Sequence, residues 1–371
     1  MAPRVCFLAL NAYPTLAGTT EARVGGAEVQ QCLIARYLVR RGYSISFVTL
    51  DYGQPDGEKV NGITVYRAFK MNTGIRYLRF IHPRMTGIWA ALRRADADIY
   101  YQRCAGMETG LLAAFCRRHN RKFVFSAASE TDFDLERAII PRWFDCRLYV
   151  YGLRCADAIV IQTERQRALL QETFGLDGNL IPNCWAEEPP AAKGHSEPDA
   201  VLWVGMVRDL KRPELFLDLA ASLPKARFVM VGGRVAGEGT LYDRVVKRAQ
   251  GIPNLFIAGF VPFHEVGRFF DQALLVVNTS PKEGFPNTFL QAWCRGLPVV
   301  SFYDPDRVIQ RHQLGFAVNS LDSMRQKVVN LLNDKDLYGK IRQNVLQYFQ
   351  ANHRLEKLGP RYEALFSELV K

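Results

Sequence analysis

The residues of this sequence that can do chemistry lie in short loops between apolar runs. In "PKEGFPNTFLQAW", Glu283 stands in a loop with glycine and proline, and Gln291 follows eight positions later. A carboxylate accepts hydrogen bonds from hydroxyl groups, whereas an amide both donates and accepts them. Gly284 permits a sharp turn, and Asn287 or Thr288 is placed to cap the following helix. The loop therefore predicts a site that binds hydroxyl groups.

A second loop carries cations. In "VGMVRDLKRPE", Gly205 frees the turn after an apolar run, and Arg208 and Lys211 stand just before a helix that begins at Pro213. Two cations beside a helix N-terminus suit a diphosphate. The alternative is a solvated pair of loop cations.

A third loop contains the glycine pair Gly25 and Gly26, which opens the first helix. Glycine lets a phosphate approach the backbone N–H groups at the positive end of a helix. The alternative is a plain N-cap. The pattern is not G-x-G-x-x-G, so the standard dinucleotide-binding fingerprint is not predicted.

The elements that must position these loops alternate between strand and helix. In the first half we predict strands at 4–10, 44–50, 63–68, 98–102, 122–128 and 158–162, with helices at 25–43, near 106–119 and from about 163. In the second half we predict strands at 200–205, 226–233, 254–260, 274–280 and 297–302, with helices at 213–223, 239–250 and 264–273. Amphipathic helices follow from about Leu321. The alternation indicates parallel sheets with crossover helices.

The stretch "AEEPPAAKGHSEPD" (186–199) breaks this alternation and predicts a linker between two doubly wound α/β units. Ligands of such sheets bind at the carboxyl ends of the strands, so we expect the site in a cleft between the two units.

Composition is that of a soluble globular protein with two or three domains, since 48% of its 371 residues are hydrophobic and 23% are charged. No apolar run approaches the roughly 18 residues of a membrane span. The run Val5–Leu10 is predicted to be a first strand rather than a leader. Eight cysteines are scattered singly, which argues against a zinc site or a disulfide scaffold and favours a reducing cytoplasm.

The net charge of +11 is unevenly distributed. Between residues 70 and 94 six Lys or Arg side chains occur with no acid, interleaved with apolar residues, and "RRHNRK" (117–122) forms a second cluster. An anionic membrane surface fits the 70–94 stretch. The alternative is a solvated basic face over a buried Ile88, Trp89 and Leu92 stripe. A nucleic-acid partner is not predicted, because no zinc-finger, helix-turn-helix or RNP-like pattern is present.

The order of these motifs resembles that of the family-4 retaining glycosyltransferases of the GT-B fold. The resemblance covers nearly the whole chain. "GGAE", "ADAIVIQTERQRALL" and "LIPNCW" are similar to the first domain of that family. "GMVRDLKRPELFLDLA" resembles the G-R-x-x-x-x-K segment, and "TSPKEGFPNTFLQAWCRGLPVV" resembles the E-x7-E segment with its following A-x-x-G-x-P-V-V.

The resemblance implies a nucleoside diphosphate sugar as donor substrate and no obligatory metal or cofactor. It makes Lys211, Arg208 and Glu283 the catalytic candidates, with Glu283 on the donor-sugar hydroxyls. Gln291 stands where the family has a second Glu that binds the ribose, and Met206 stands where it has an arginine. The donor-binding candidates are Gly25, Gly26, Gly205, Gly284, Phe285, Asn287, Thr288 and Gln291.

The acceptor side departs further from the family, since "FVFSAASETDFD" lacks the histidine often found there. The candidates are Arg103, Ser129 and Asp132. We predict an acceptor domain at 1–185, with a C-terminal helix at about 350–371 packing back on it, and a donor domain at 200–349.

The predicted function is transfer of a sugar to a glycan or lipid-linked saccharide in cell-surface polysaccharide synthesis, by a cytoplasmic protein peripheral to the inner face of the membrane. The alternatives are a nucleotide-sugar epimerase of the same fold and a catalytically impaired nucleotide-sugar-binding subunit.

Overall fold

The computed structural model describes residues 2–19, 25–75, 78–134, 143–186, 199–235 and 239–371. The chain forms two compact units. The first unit is Met1–Cys184 together with Leu355–Lys371, and the second unit is Trp185–Arg354. Residues 187–198, which make up most of the predicted linker, lie outside the described residues.

The first unit contains one large sheet with helices between its strands. The strands are β1 (Arg4–Leu8), β2 (Ser44–Thr49), β3 (Glu58–Val60), β4 (Ile63–Arg67), β5 (Ile99–Arg103), β6 (Lys122–Ser126), β7 (Ala158–Ile161) and β8 (Asn179–Leu180). The helices are α1 (Tyr13–Ala17), α2 (Gly26–Arg40), α3 (Thr86–Ala95), α4 (Met107–His119), α5 (Trp143–Arg154) and α6 (Glu164–Phe174).

The strand order of this sheet is β3-β4-β2-β1-β5-β6-β7-β8. Neighbouring strands are parallel, except that β3 pairs antiparallel with β4. Val5, Cys6 and Phe7 in β1 are fully buried, and burial on both faces explains why this strand is a continuous apolar run. The direction of strand addition reverses between β1 and β5, so their carboxyl ends form a topological switch point.

The second unit is a six-stranded parallel sheet with helices between its strands. The strands are β9 (Ala200–Val204), β10 (Arg227–Val231), β11 (Leu255–Gly259), β12 (Ala273–Asn278), β13 (Val299–Ser301) and β14 (Gly315–Ala317). The helices are α7 (Pro213–Ser222), α8 (Gly239–Ala249), α9 (Gly267–Asp271), α10 (Asn287–Trp293), α11 (Val308–His312), α12 (Leu321–Asn333) and α13 (Lys335–Asn352). The order is β11-β10-β9-β12-β13-β14, with the switch point between β9 and β12.

The last helix, α14 (Leu355–Leu369), belongs to the first unit and packs against α2. A Cβ atom at Gly359 would lie 2.4 Å from ring atoms of Tyr37, so the two helices approach closely at this glycine. The Tyr37 hydroxyl donates a hydrogen bond to Glu363 over 2.6 Å.

The predicted α/β class is confirmed, and each predicted strand is present with its ends shifted by a few residues. The predicted helix at 264–273 is wrong in extent, because a 3-10 turn at Phe263–Glu265 precedes the short α9. Strands β3, β8 and β14 and helices α1, α5 and α11 were not predicted. All eight cysteines are free thiols. Within the described ranges, no helix combines the length and the apolarity that crossing a bilayer requires.

Candidate functional site

At the carboxyl edge of the second sheet, the ends of β9 and β10 pack closely. Gly205 follows β9, and its N–H donates to the Val231 carbonyl over 2.9 Å. A Cβ at Gly232 would lie 1.9 Å from the Gly205 carbonyl oxygen. Only glycine fits at position 232, and the loop after β9 therefore leaves the sheet directly above the end of the neighbouring strand.

This loop carries Lys211, whose backbone is anchored to the end of β12. Lys211 ends a 3-10 turn that begins at Asp209. The Thr279 hydroxyl donates to the Lys211 carbonyl and accepts from the Trp203 indole N–H over 2.9 Å. Thr279 and Trp203 are both buried. Neither residue was among the predicted site residues, because their part in holding Lys211 depends on the strand order.

The side chain of Lys211 forms an ion pair with Glu283, 72 positions further along the chain. The two side chains are 26% and 15% exposed, so both remain accessible at the strand ends. Arg208 precedes them by one turn, with its carbonyl accepting from the Lys211 N–H over 2.9 Å. Arg208 is exposed, and none of the described residues forms an ion pair with it. The three predicted catalytic residues therefore belong to one unit, and two of them are in direct contact.

The predicted capping of α10 by Asn287 or Thr288 is wrong. Asn287 is the first helical residue, and the N-cap is Pro286 with φ −65° and no side-chain cap. Proline has no side-chain hydrogen-bond acceptor, so the helix begins without a polar side-chain cap. Asn287 and Thr288 are half-buried in the first turn of α10, where a ligand at the strand ends would meet them.

Two other predicted donor residues of this region are buried. Phe285 is 6% exposed, and its ring packs on His353 with 4.7 Å between centroids. Gln291 is also 6% exposed and lies one turn beyond Asn287 on α10. The buried Phe285 ring thus anchors the loop that carries Glu283 to the interior of the second unit. The part of the chain that the structure describes holds no cluster of three His, Cys, Asp or Glu side chains suited to a metal ion.

Gly25 and Gly26 belong to the first unit. Gly25 is the N-cap of α2, with φ −88° and ψ 154°. A Cβ there would lie 2.2 Å from a carboxylate oxygen of Glu28, which folds back over the helix end. The start of α4 repeats the arrangement, since a Cβ at Gly106 would lie 2.6 Å from Glu108.

Both helix starts line a cavity of about 530 Å³ at the switch point of the first unit. Its wall also includes the ends of β1 and β5 and, from the stretch that follows β4, residues 69–73, 79, 80 and 84. The cavity-lining residues that bear charge or an amide are Asn11, Glu28, Gln31, Lys70, Asn72, Arg79, Arg84, Gln102, Arg103 and Glu108. Cys104 after β5 has φ 79°, a strained conformation for a residue with a side chain.

Of the predicted acceptor residues, Arg103 lines this cavity and Ser129 and Asp132 do not. Arg103 is 6% exposed and donates from Nη2 to the Asn183 side-chain oxygen over 2.6 Å.

The buried Asp132 carboxylate accepts hydrogen bonds from the backbone N–H groups of Ala128, Ser129 and Ala105, at 2.6, 3.1 and 3.3 Å. Burial raises the pKa of Asp132 against the opposing effect of these bonds. Ser129 accepts from the Thr131 N–H. These contacts give Asp132 a structural role in joining the loops after β5 and β6.

An exposed apolar patch lies beside the cavity. We define the apolar patch as Met71, Ile75, Leu78, Ile81, Trp143 and Phe144, which are between 48% and 72% exposed. Phe80 lines the cavity and touches Phe144, with ring centroids 6.1 Å apart. By contrast, Ile88 and Leu92 of the basic stretch are fully buried, and Trp89 packs on Phe115. Arg76 lies outside the described residues.

Two family descriptions match the sequence. Residues 25–184 match the glycosyl transferase 4-like domain, and residues 198–334 match glycosyl transferases group 1. Together these ranges cover most of the chain, including β5 of the first sheet and β9 and β12 of the second. The fold and the two matches define a glycosyltransferase of the GT-B type. The chain belongs to the family-4-type glycosyltransferases.

Individual proteins show the same likeness. An uncharacterized glycosyltransferase of Haemophilus influenzae is 21% identical over 336 residues, 85% of this chain and 88% of that protein. HepE of Anabaena, solved with UDP and glucose, superposes with a TM-score of 0.77 at 14% identity over 99% of this chain and 100% of that one. WaaG, a glycosyltransferase involved in lipopolysaccharide biosynthesis, superposes with a TM-score of 0.68 at 15% identity over 98% of this chain and 99% of that one. At such identities the structures show a common fold.

Proposed function

We propose that this enzyme is a retaining glycosyltransferase that moves a sugar from a nucleoside diphosphate sugar to a hydroxyl group of a glycan or lipid-linked saccharide in cell-surface polysaccharide synthesis. The observation that carries the proposal is the contact of Lys211 with Glu283 at the switch point of the second unit. One residue supplies a cation for phosphate, and the other supplies acceptor oxygens for hydroxyls.

The second unit is the donor domain in this proposal. Negative charge grows on the leaving diphosphate as the bond from the sugar anomeric carbon to its oxygen breaks. Lys211 and Arg208 stabilise that charge, and Lys211 is held in place by Thr279 through its backbone. Glu283 orients the sugar, Gln291 binds the ribose, and Gly205, Gly284, Asn287 and Thr288 border the donor.

The acceptor hydroxyl attacks on the face that the diphosphate leaves, which retains the anomeric configuration. The new bond joins the anomeric carbon to the acceptor oxygen, and the hydroxyl proton passes to the departing phosphate oxygen. No metal is required, because fixed cations neutralise the diphosphate. The binding of UDP and glucose by HepE supports a nucleotide sugar as donor.

The first unit supplies the acceptor side, with Arg103 in the wall of its cavity. We place the enzyme in the cytoplasm at the inner face of the membrane, docked through the 70–94 stretch. The involvement of WaaG in lipopolysaccharide biosynthesis supports a cell-surface product, and the apolar patch supports the docking.

The first test is a thermal-shift screen of the purified protein with UDP-, GDP-, ADP- and dTDP-sugars, with and without magnesium. A ligand of the native state raises its melting temperature. We expect a shift with one nucleotide class, independent of magnesium. A protein that neither shifts with nor hydrolyses any of these donors would instead be a binding-impaired relative.

The second test is Lys211→Ala. We expect turnover of the donor to fall by about 100-fold or more, because a charge that stabilises the leaving group is lost. Lys225→Ala is the matched control, since Lys225 is an exposed lysine in the turn before β10. Near-normal turnover in folded Lys211→Ala protein contradicts the proposed role.

A further inference from the structure

The cavity of the first unit has an excess of positive charge. Four cations line it against two carboxylates, which leaves two positive charges in excess: the cations are Lys70, Arg79, Arg84 and Arg103, and the carboxylates are Glu28 and Glu108. The N-termini of α2 and α4 also line the wall, and the two carboxylates, Glu28 and Glu108, lie in their first turns.

Two of the cations are engaged within the protein and two are not. Arg84 donates to Glu108 over 2.8 Å, and Arg103 donates to Asn183 over 2.6 Å. Lys70 and Arg79 are exposed at the cavity, and no ion pair joins either to another of the described residues. These two side chains are therefore available to an anion.

Buried polar groups in the wall point to a ligand independently of the charges. Gln31, Gln102 and Arg103 are 2%, 5% and 6% exposed and all line the cavity. The side-chain oxygens of both glutamines and Nε of Arg103 have no hydrogen-bond partner. Buried polar groups are nearly always satisfied, so three unused ones in one cavity wall favour a polar ligand that can both donate and accept hydrogen bonds.

We propose that this cavity binds the glycosyl acceptor and that the acceptor carries a phosphate group. Lys70 and Arg79 hold the phosphate, and Gln31 and Gln102 turn their amides to the sugar hydroxyls. A volume of about 530 Å³ is within the range of pockets that enclose small ligands. The assignment rests on the proposed glycosyltransferase function only in naming the bound molecule as the acceptor.

The same phosphate chemistry occurs in a free sugar phosphate and in a saccharide linked through phosphate to a lipid. The experiment is calorimetric titration of the full chain with glucose 1-phosphate, inorganic phosphate, methyl α-glucoside and the decyl phosphodiester of glucose. We expect glucose 1-phosphate to bind at least about tenfold more tightly than the uncharged glucoside, because charge-assisted bonds are lost in the latter. If the decyl diester binds more tightly than glucose 1-phosphate, the acceptor is a lipid-linked saccharide. If the two bind equally, the acceptor is a free sugar phosphate.

The test variant is Lys70→Gln with Arg79→Gln, and Arg93→Gln is the control because Arg93 is exposed on α3 in the same basic stretch and does not line the cavity. We expect the double variant to lose the tenfold preference and Arg93→Gln to keep it. Nucleotide-sugar affinity should be unchanged in both.

The phosphate assignment is overturned if methyl α-glucoside and glucose 1-phosphate bind with equal affinity. It is also overturned if Arg93→Gln loses the tenfold preference to the same extent as the double variant. Loss of nucleotide-sugar binding in the double variant overturns the acceptor assignment. Either result leaves the proposed function standing if Lys211→Ala still lowers donor turnover by about 100-fold or more, so the two failures are distinguishable.

Discussion

Single residues at both switch points are held by backbone contacts as much as by side chains. Lys211 is fixed through its carbonyl by Thr279, so in the proposed function little backbone rearrangement is needed for its side chain to meet a diphosphate. Glu283 is the ion-pair partner of Lys211 in this structure. This arrangement favours electrostatic stabilisation, since the charges are ordered before the reaction.

Asp132 provides a prediction about stability. Asp132→Ala removes the acceptor of three backbone N–H groups and should lower the free energy of unfolding by about 2–4 kcal/mol. Urea unfolding followed by circular dichroism measures this. Asp134→Ala is the control, since Asp134 lies two residues further along and its carboxylate accepts none of these three bonds. Full stability of Asp132→Ala combined with loss of acceptor binding would return Asp132 to the acceptor site.

Lys211 and Glu283 were each predicted from the sequence as site residues, but the contact between them was not. Each residue is visible as a polar group in a loop after an apolar strand, whereas the pairing depends on β9 and β12 being neighbours. Thr279 and Trp203 had no sequence signal, because a threonine and a tryptophan in a strand end are ordinary core residues. The capping by Asn287 was wrong because Pro286 already fixes the start of the helix.

At the scale of the elements, the close packing of α14 against α2 depends on Gly359. Gly359→Ala would place a methyl group 2.4 Å from the Tyr37 ring, and we expect a loss of about 1–3 kcal/mol in unfolding free energy from overpacking.

Gly339→Ala is the matched control, since a Cβ at Gly339 in α13 meets nothing within 4 Å. That variant should gain about 0.5–1 kcal/mol from helix propensity. Thermal unfolding of the two proteins gives the comparison, and a shift of the same sign in both would contradict the close packing of α14.

Elements buried on both faces were predictable, since their apolar runs admit few other interpretations. The unpredicted β8 and β14 are only two and three residues long, and β3 is an exposed edge with the pattern Glu-Lys-Val. Helix α5 begins with the exposed Trp143 and Phe144, so its apolar residues do not form one stripe. Short edge strands and helices with exposed aromatic residues carry too little periodicity to be recognised.

At the scale of the whole molecule, the apolar patch and the neighbouring cations predict binding to anionic bilayers. Trp143→Ala with Phe144→Ala should reduce co-flotation with phosphatidylglycerol-containing vesicles by about tenfold, since both rings would otherwise enter the interface. Binding of the unaltered protein should fall as salt rises, because cations in the 70–94 stretch contribute.

Phe256→Ala is the control, because Phe256 is 55% exposed and lies in the second unit. Absence of flotation at low salt in the unaltered protein removes membrane docking, and an equal effect of Phe256→Ala assigns the binding to general hydrophobicity.

The return of α14 to the first unit has a consequence for synthesis of the chain. Leu355, Leu358, Tyr362 and Phe366 are buried in that unit, although they leave the ribosome after all of Trp185–Arg354. The surface of α2 that α14 covers therefore stays exposed until the whole of the second unit has been synthesised. The first unit is thus completed only after the second has been synthesised, unlike the usual N-to-C completion of domains, and a nascent chain arrested before residue 355 exposes the apolar surface that α14 covers.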